Sequence, residues 1–262
     1  MSPEDYVSKL TDTSAFTDTS QFDDTDKMVN VPERREASEQ QQPGMTGADL
    51  VKRLTGIKSQ IEAGESILEV KVLREDSDHL VVNCLGTELS IERYEVESQP
   101  VAYKLPSKDK LPMQLKTLYA LDGDIGESRY CTKETILLLL QTCAYWEIVN
   151  GSPLVAVSGM SKKEFSSTRS GGSKHNKGIA IDVKLQKEMM VLPGDGDTVN
   201  PMYNDESRIK CAELCLCAAE AGAQRIIYND NKIIAAMRSV SKVTMFPWKG
   251  HKNHMHFDLY TS

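Results

Sequence analysis

Two short apolar segments near the C-terminus carry four of the chain's five histidines. One of them, His175, lies in SKHNKGIAID, and the other three lie in GHKNHMHFDL. Side chains alternate between the two faces of a β-strand, so His254 and His256 would project from the same face of the second segment. If the two segments form neighbouring strands, Asp182 and His256 lie side by side. This pairing constrains the fold more than any other feature of the sequence.

The two segments predict a metal site. Asp182 and His256 would come from the paired strands, with His175 reaching in from the preceding loop, and the small Ala180 beside Asp182 would leave space for an ion. Three protein ligands with a fourth position for water are typical of catalytic rather than structural zinc sites. His254 would then lie near the water without binding the metal, and could act as general base or stabilise an oxyanion.

The six cysteines point to core packing. Three of them fall in CAELCLC, inside a predicted helix, where thiols act as small apolar side chains. A metal site there would need a fourth ligand and the spacing of a loop, and the sequence shows neither. No disulfide framework is indicated.

Charge is concentrated at the N-terminus. The net charge is −7, and residues 1–46 hold 10 acidic and 4 basic side chains, so −6 of it lies in this segment. The remainder is close to neutral and offers no basic surface for nucleic acid, so we expect no nucleic-acid partner. A segment so rich in Ser, Thr, Asp, Glu and Gln is predicted to be disordered unless a partner orders it as a docking arm.

No membrane span and no secretory signal are predicted. The longest apolar stretch, ILLLLQTCAYW, is shorter than the about 18–20 residues that cross a bilayer. The first ten residues, MSPEDYVSKL, are acidic and lack the apolar core of a signal peptide.

The order of predicted elements indicates an α+β chain with three parts. After the acidic tail, residues 47–107 read as a helix and a small antiparallel β module, and residues 108–262 as a domain with a mostly antiparallel sheet and flanking helices. The predicted helices cover residues 47–62, 112–121, 132–151, 206–222 and 231–239; the predicted strands cover 66–74, 78–84, 87–96, 153–159, 177–184, 224–230 and 254–260.

The paired motifs resemble those of the LAS metallopeptidases, the group of lysostaphin, D-Ala-D-Ala peptidases and Sonic hedgehog. The pattern S-x-H-x-x-G-x-A-x-D followed by H-x-H is filled by Ser173, His175, Gly178, Ala180, Asp182, His254 and His256. The stretch PWKGHKNHMHFDL is also similar to the end of the penicillin-insensitive murein endopeptidases, through Trp248, Gly250 and His251. The resemblance covers about residues 155–260 and implies a peptidase domain.

The resemblance implies a zinc ion bound by His175, Asp182 and His256. It makes His254 the catalytic histidine and His251 a nearby auxiliary group. The implied reaction is hydrolysis of a peptide bond in bacterial peptidoglycan, next to a D-amino acid.

The chain departs from its relatives after the first strand of the domain. Many relatives carry an arginine in a Ser-Gly-Tyr-Arg run, whereas this chain reads SGMS at residues 158–161. Arg169 and Lys174 are then the candidates for the cation that would orient a substrate carboxylate. Phe257-Asp258-Leu259 also stands where murein endopeptidases often have Arg-Leu.

Without a signal peptide, a wall hydrolase fits a phage product. It would be a lysis enzyme or a tail or baseplate component of the virion, made in the host cytoplasm and acting on the periplasmic or extracellular side of the wall. Residues 1–107 would then contact phage structural proteins. A bacterial enzyme acting on recycled peptides is also open. The alternative is a non-catalytic structural or binding protein of the virion on a peptidase-like fold, since fold does not fix function.

Overall fold

In the part of the chain that the structure describes, two β-sheets and four α-helices form the α+β structure that the sequence predicts. In this computed structural model the described residues are 44–97, 100–122, 125, 128–151, 154–165, 174–191, 200–248, 251 and 253–259. The predicted docking arm therefore lies almost wholly outside them.

The helices are α1 (Gly47–Leu68), α2 (Lys133–Val149), α3 (Asp205–Glu220) and α4 (Asn231–Val240). The strands are β1 (Lys71–Glu75), β2 (His79–Cys84), β3 (Thr87–Tyr94), β4 (Ala102–Lys104), β5 (Tyr119–Leu121), β6 (Tyr130–Cys131), β7 (Val155–Gly159), β8 (Ala180–Lys184), β9 (Arg225–Ile227), β10 (Thr244–Phe246) and β11 (His254–Asp258). Short 3-10 turns occur at Lys108–Lys110, Met113–Leu115, Lys174–Lys177 and Lys187–Met189.

The two sheets are mostly antiparallel. The first has the order β1-β2-β3-β4-β6, and each of its pairings is antiparallel. The second has the order β10-β9-β11-β8-β7-β5, with antiparallel pairs in its centre and parallel pairs at its two edges. The segments that carry the histidine motifs, β8 and β11, are therefore neighbours in the middle of the second sheet, as predicted.

The central helix is α2, which contacts α1, α3 and strands of both sheets. Its apolar run is buried on most of its circumference, with Ile136, Leu139 and Leu140 fully inaccessible, so it lacks the wide polar stripe of a surface helix. It begins directly after Thr132, as predicted, although the Thr132 hydroxyl bonds to that of Thr135 rather than capping the helix. Among the described residues, no helix is both long and apolar enough to span a bilayer.

Residues 47–107 share their core with the rest of the chain. Helix α1 packs against α3 and α4, and Arg53 pairs with the buried Glu213 of α3 at 2.9 Å. The first sheet also takes up β6, which lies beyond residue 107 in the sequence. The same hydrophobic cluster includes residues of α1, β2, α2 and the second sheet.

One predicted element is wrong and several boundaries differ. Residues 112–121 form only a 3-10 turn followed by β5, because Tyr119 pairs with Val155 of β7 and its buried hydroxyl donates to the carbonyl of Pro106. Tertiary pairing thus overrides a short helical pattern. Helix α1 extends to Leu68, beyond its predicted end, and strands β4, β6 and β10 were not predicted. The six cysteines are free and buried, in line with core packing.

Candidate metal centre

Strand pairing brings two of the predicted ligands together. Asp182 of β8 and His256 of β11 are directly opposed Cα partners in the antiparallel ladder. Both side chains are buried, and His256 Nδ1 lies 2.9 Å from Asp182 Oδ1. The alternation of side chains along each strand, from which the pairing was predicted, therefore places these two side chains correctly. The small Ala180 is the Cα partner of Asp258, two residue pairs further along the ladder.

The third predicted ligand comes from the 3-10 turn before β8. His175 is buried, and its Nε2 lies 3.2 Å from the same Asp182 Oδ1 that contacts His256. The rings of His175 and His256 meet edge to face with centroids 5.1 Å apart. Asp182 thus lies between two imidazoles that come from different parts of the chain.

The three residues fit a metal ion. One ligand atom from each of His175, Asp182 and His256 can be chosen so that all lie within 4.8 Å of one another. Atoms bound tetrahedrally at 2.0–2.1 Å are about 3.3 Å apart, close to the two nitrogen–oxygen separations observed here. Gly159 of β7 faces the other carboxylate oxygen, where a Cβ atom would lie 3.3 Å from Asp182 Oδ2. A buried cluster able to bind a metal is therefore present.

Charge complementarity holds the cluster together. Burial acts to raise the pKa of Asp182, but the charges and hydrogen bonds of His175 and His256 hold it well below its ordinary value. Burial likewise acts to lower the pKa of His256, but hydrogen bonds to Asp182 and Asp258 raise it to about 9. Asp182 is therefore ionised, which is the state that a metal ligand must have.

The two predicted catalytic histidines lie beside the cluster. His254 Nε2 is 3.8 Å from Asp182 Oδ1, and His254 is only partly buried. The His251 ring lies 4.7 Å from that of His254 and 5.5 Å from that of His256. Burial, together with the charges of His256 and His254, lowers the pKa of His251 to about 3, so its imidazole is neutral. All five predicted site residues therefore meet at one place.

Two conformational constraints shape the loop that carries His175. Gly178 has φ +67°, a left-handed conformation that favours glycine, and an added Cβ would lie 2.2 Å from Phe165 Cε1. Its carbonyl accepts a hydrogen bond from the Thr132 amide at the start of α2. The glycine of the motif is therefore required by backbone conformation and by close packing.

Sequence reasoning missed three buried polar residues around the site. Asp258 accepts hydrogen bonds from His256 Nε2 and from Arg225, and none of it is exposed. Asn229 accepts from the Trp248 amide and donates to the carbonyls of Trp248 and His251, which ties both residues to the end of β9. The H-x-H-x-D spacing, with alternate residues on one face, was the signal that could have identified Asp258.

Some predicted residues cannot be placed. Ser173, Gly250 and Arg169 lie outside the described residues. Lys174 is described and lies in the turn directly before His175, where burial together with the neighbouring charges of Arg225 and Lys177 lowers its pKa. Of the two candidates for a substrate-orienting cation, Lys174 is thus the one that the structure describes, and it directly precedes the predicted ligand His175.

The chain matches no protein-family model, and no curated protein matches it.

Proposed function

We propose that this protein is a zinc-dependent peptidase that hydrolyses a peptide bond, next to a D-amino acid, in bacterial peptidoglycan. The observation that carries the proposal is the convergence of His175 and His256 on Oδ1 of the buried Asp182. His254 Nε2 lies only 3.8 Å from the same oxygen. A metal site alone is compatible with a structural role. A partly exposed histidine directly beside it is what a hydrolytic site requires.

Zinc is the metal that the donor set favours. Two imidazole nitrogens and one carboxylate oxygen are common zinc ligands, and three protein ligands leave a fourth position for water or substrate. A bound zinc ion would polarise a substrate carbonyl and lower the pKa of water toward neutrality. The thiols, which would favour a closed structural site, are buried in the core.

His254 is proposed as the group that moves the proton. Its Nδ1 lies 2.9 Å from Asn253 Oδ1, which can only accept, so the proton of the neutral ring belongs on Nδ1. The lone pair then lies on Nε2, the nitrogen on the side of Asp182. In this state Nε2 can accept a proton from water and later donate it to the leaving amine. His251, with its neutral ring packed on His254, is proposed to hold that ring in place.

The substrate class rests on the resemblance of the paired motifs to those of the wall-cleaving LAS peptidases. The same resemblance leads us to propose a phage enzyme, either in the virion or released at lysis. Contact with phage structural proteins through residues 1–107 belongs to this proposal.

The test is mass spectrometry of muropeptides released from purified sacculi by the zinc-loaded protein. Two variants are compared with the parent: Asp182→Ala, which removes the shared ligand, and His254→Ala, which leaves the three ligands in place. His79→Ala is the matched control, because His79 lies on β2 in the other sheet and its side chain is 48% exposed.

New peptide termini from the parent and the control, absent with Asp182→Ala and His254→Ala, would support the proposal and identify the bond. Full activity of His254→Ala would refute the role of that histidine. A parent protein that holds one zinc ion per chain yet releases no fragment would favour the non-catalytic virion protein instead.

A further inference from the structure

A buried carboxylate lies directly behind the candidate ligand His256. Asp258 is two residues further along β11, so both side chains project from the same face of the strand. Asp258 Oδ2 lies 3.0 Å from His256 Nε2, the ring nitrogen opposite the one that contacts Asp182. His256 is therefore held on both sides, by one carboxylate at each ring nitrogen.

An arginine fixes the hydrogen-bonding role of that carboxylate. Arg225 of β9 is the Cα partner of Asp258 in the neighbouring strand. Its Nε donates to Asp258 Oδ2 at 2.7 Å, and a second guanidinium nitrogen donates to the same oxygen. Arg225 and Asp258 are both buried, so water cannot readily replace either partner.

The direction of the hydrogen bonds then determines the tautomer of His256. A guanidinium group can only donate, so Asp258 Oδ2 acts as an acceptor. The His256 Nε2 that lies beside it must accordingly carry its proton and donate to that oxygen. In the neutral ring the lone pair is left on Nδ1, which faces Asp182 and the predicted metal position.

From this geometry we infer that Asp258, held by Arg225, is a positioning residue that makes His256 Nδ1 the metal-binding atom. Asp258 does not touch the metal or the substrate; it acts through the orientation and the tautomer of His256. Metal-binding histidines commonly donate their second N–H to such a carboxylate, and removing it lowers metal affinity. The inference rests on the metal site of the proposed function but not on peptidase activity.

The first test is the affinity for zinc, measured by competition with a chromophoric chelator. Asp258→Asn keeps the size of the side chain but replaces the carboxylate with a neutral amide, whose oxygen is a weaker acceptor for the His256 Nε2 proton. We expect affinity to fall by roughly 10–100-fold. Arg225→Met, which removes the donors that hold Oδ2, is expected to lower affinity in the same direction.

The matched control is Asp230→Asn. Asp230 is also a buried aspartate that accepts from a buried arginine, Arg208, at 2.9 Å, yet neither residue contacts the three ligands. The zinc affinity of Asp230→Asn should stay within about twofold of the parent, since sites that share no partner act independently. Parent-like affinity in Asp258→Asn, or an equal loss in Asp230→Asn, would overturn the inference.

The second test needs no variant. In the zinc-loaded parent protein, long-range proton–nitrogen correlation spectra should show His256 bound through Nδ1 and carrying a slowly exchanging proton on Nε2. Zinc on Nε2, or a protein that takes up no zinc, would overturn the inference. Neither readout uses hydrolysis, so an inactive protein would refute the proposed peptidase while leaving this assignment intact.

Discussion

Gly178 offers the sharpest quantitative test of how the chain builds its candidate site. The glycine lies between His175 and Asp182, with φ +67° and with Phe165 Cε1 2.2 Å from the position of an added Cβ. Alanine in the left-handed conformation costs about 1–2 kcal/mol. Because the ring of Phe165 is 4% exposed and cannot move into solvent, the clash adds roughly 1–3 kcal/mol of overpacking. Gly178→Ala should therefore lower the free energy of unfolding by about 2–5 kcal/mol.

Gly86→Ala is the matched control for backbone strain alone. Gly86 has φ +78°, and an added Cβ would meet no atom within 4 Å. Urea denaturation of both variants without metal separates the two contributions, since only Gly178→Ala adds a clash. Gly178→Ala should also bind zinc more weakly, because its amide is hydrogen-bonded to the carbonyl of His175. Equal destabilisation in the two variants, with zinc binding unchanged, would refute the reasoning.

Three further predictions concern metal, catalysis and pH. Zinc at 100 times its dissociation constant should raise the free energy of unfolding by about 2.7 kcal/mol, an effect that chelation reverses and Asp182→Ala abolishes in thermal melts. His254→Ala should bind zinc as the parent does while its turnover on muropeptides falls by roughly 10²–10⁴-fold. Glu75→Gln should lose on the order of 1 kcal/mol at pH 7. Hydrogen bonds from Lys133 and Tyr103 hold the pKa of Glu75 below its ordinary value. The stability difference between parent and variant is therefore present above the unfolded-state pKa of Glu75 and disappears as pH falls through its folded-state pKa. Denaturation at several pH values measures it.

The sequence predicts the ligand cluster well because strand geometry is local. Alternation along GIAID and HMHFD determines which side chains share a face, and one assumed pairing then places Asp182 beside His256, as observed. The same local rules predict α2 from its N-terminal Thr132 and its apolar run. These features require no knowledge of the rest of the fold.

What the sequence does not predict depends on distant partners. Asp258 is explained only by Arg225, which lies 33 residues away and reaches it through the β9–β11 pairing. Residues 112–121 look helical, yet Tyr119 is drawn into the sheet by β7. Patterns in a single sequence are local, so they do not reveal such long-range pairings, which depend on the tertiary structure.

The central claim is that the metal binds to nitrogen and oxygen ligands at this cluster, and X-ray absorption spectroscopy of the zinc-loaded protein tests it most directly. The account predicts one zinc ion per chain with a nitrogen and oxygen shell at about 2.0–2.1 Å, two of the ligands being histidines, and loss of this signal in Asp182→Ala. A sulfur shell at about 2.3 Å would place the metal on the cysteines instead. That result, or unchanged zinc in Asp182→Ala, would contradict the account.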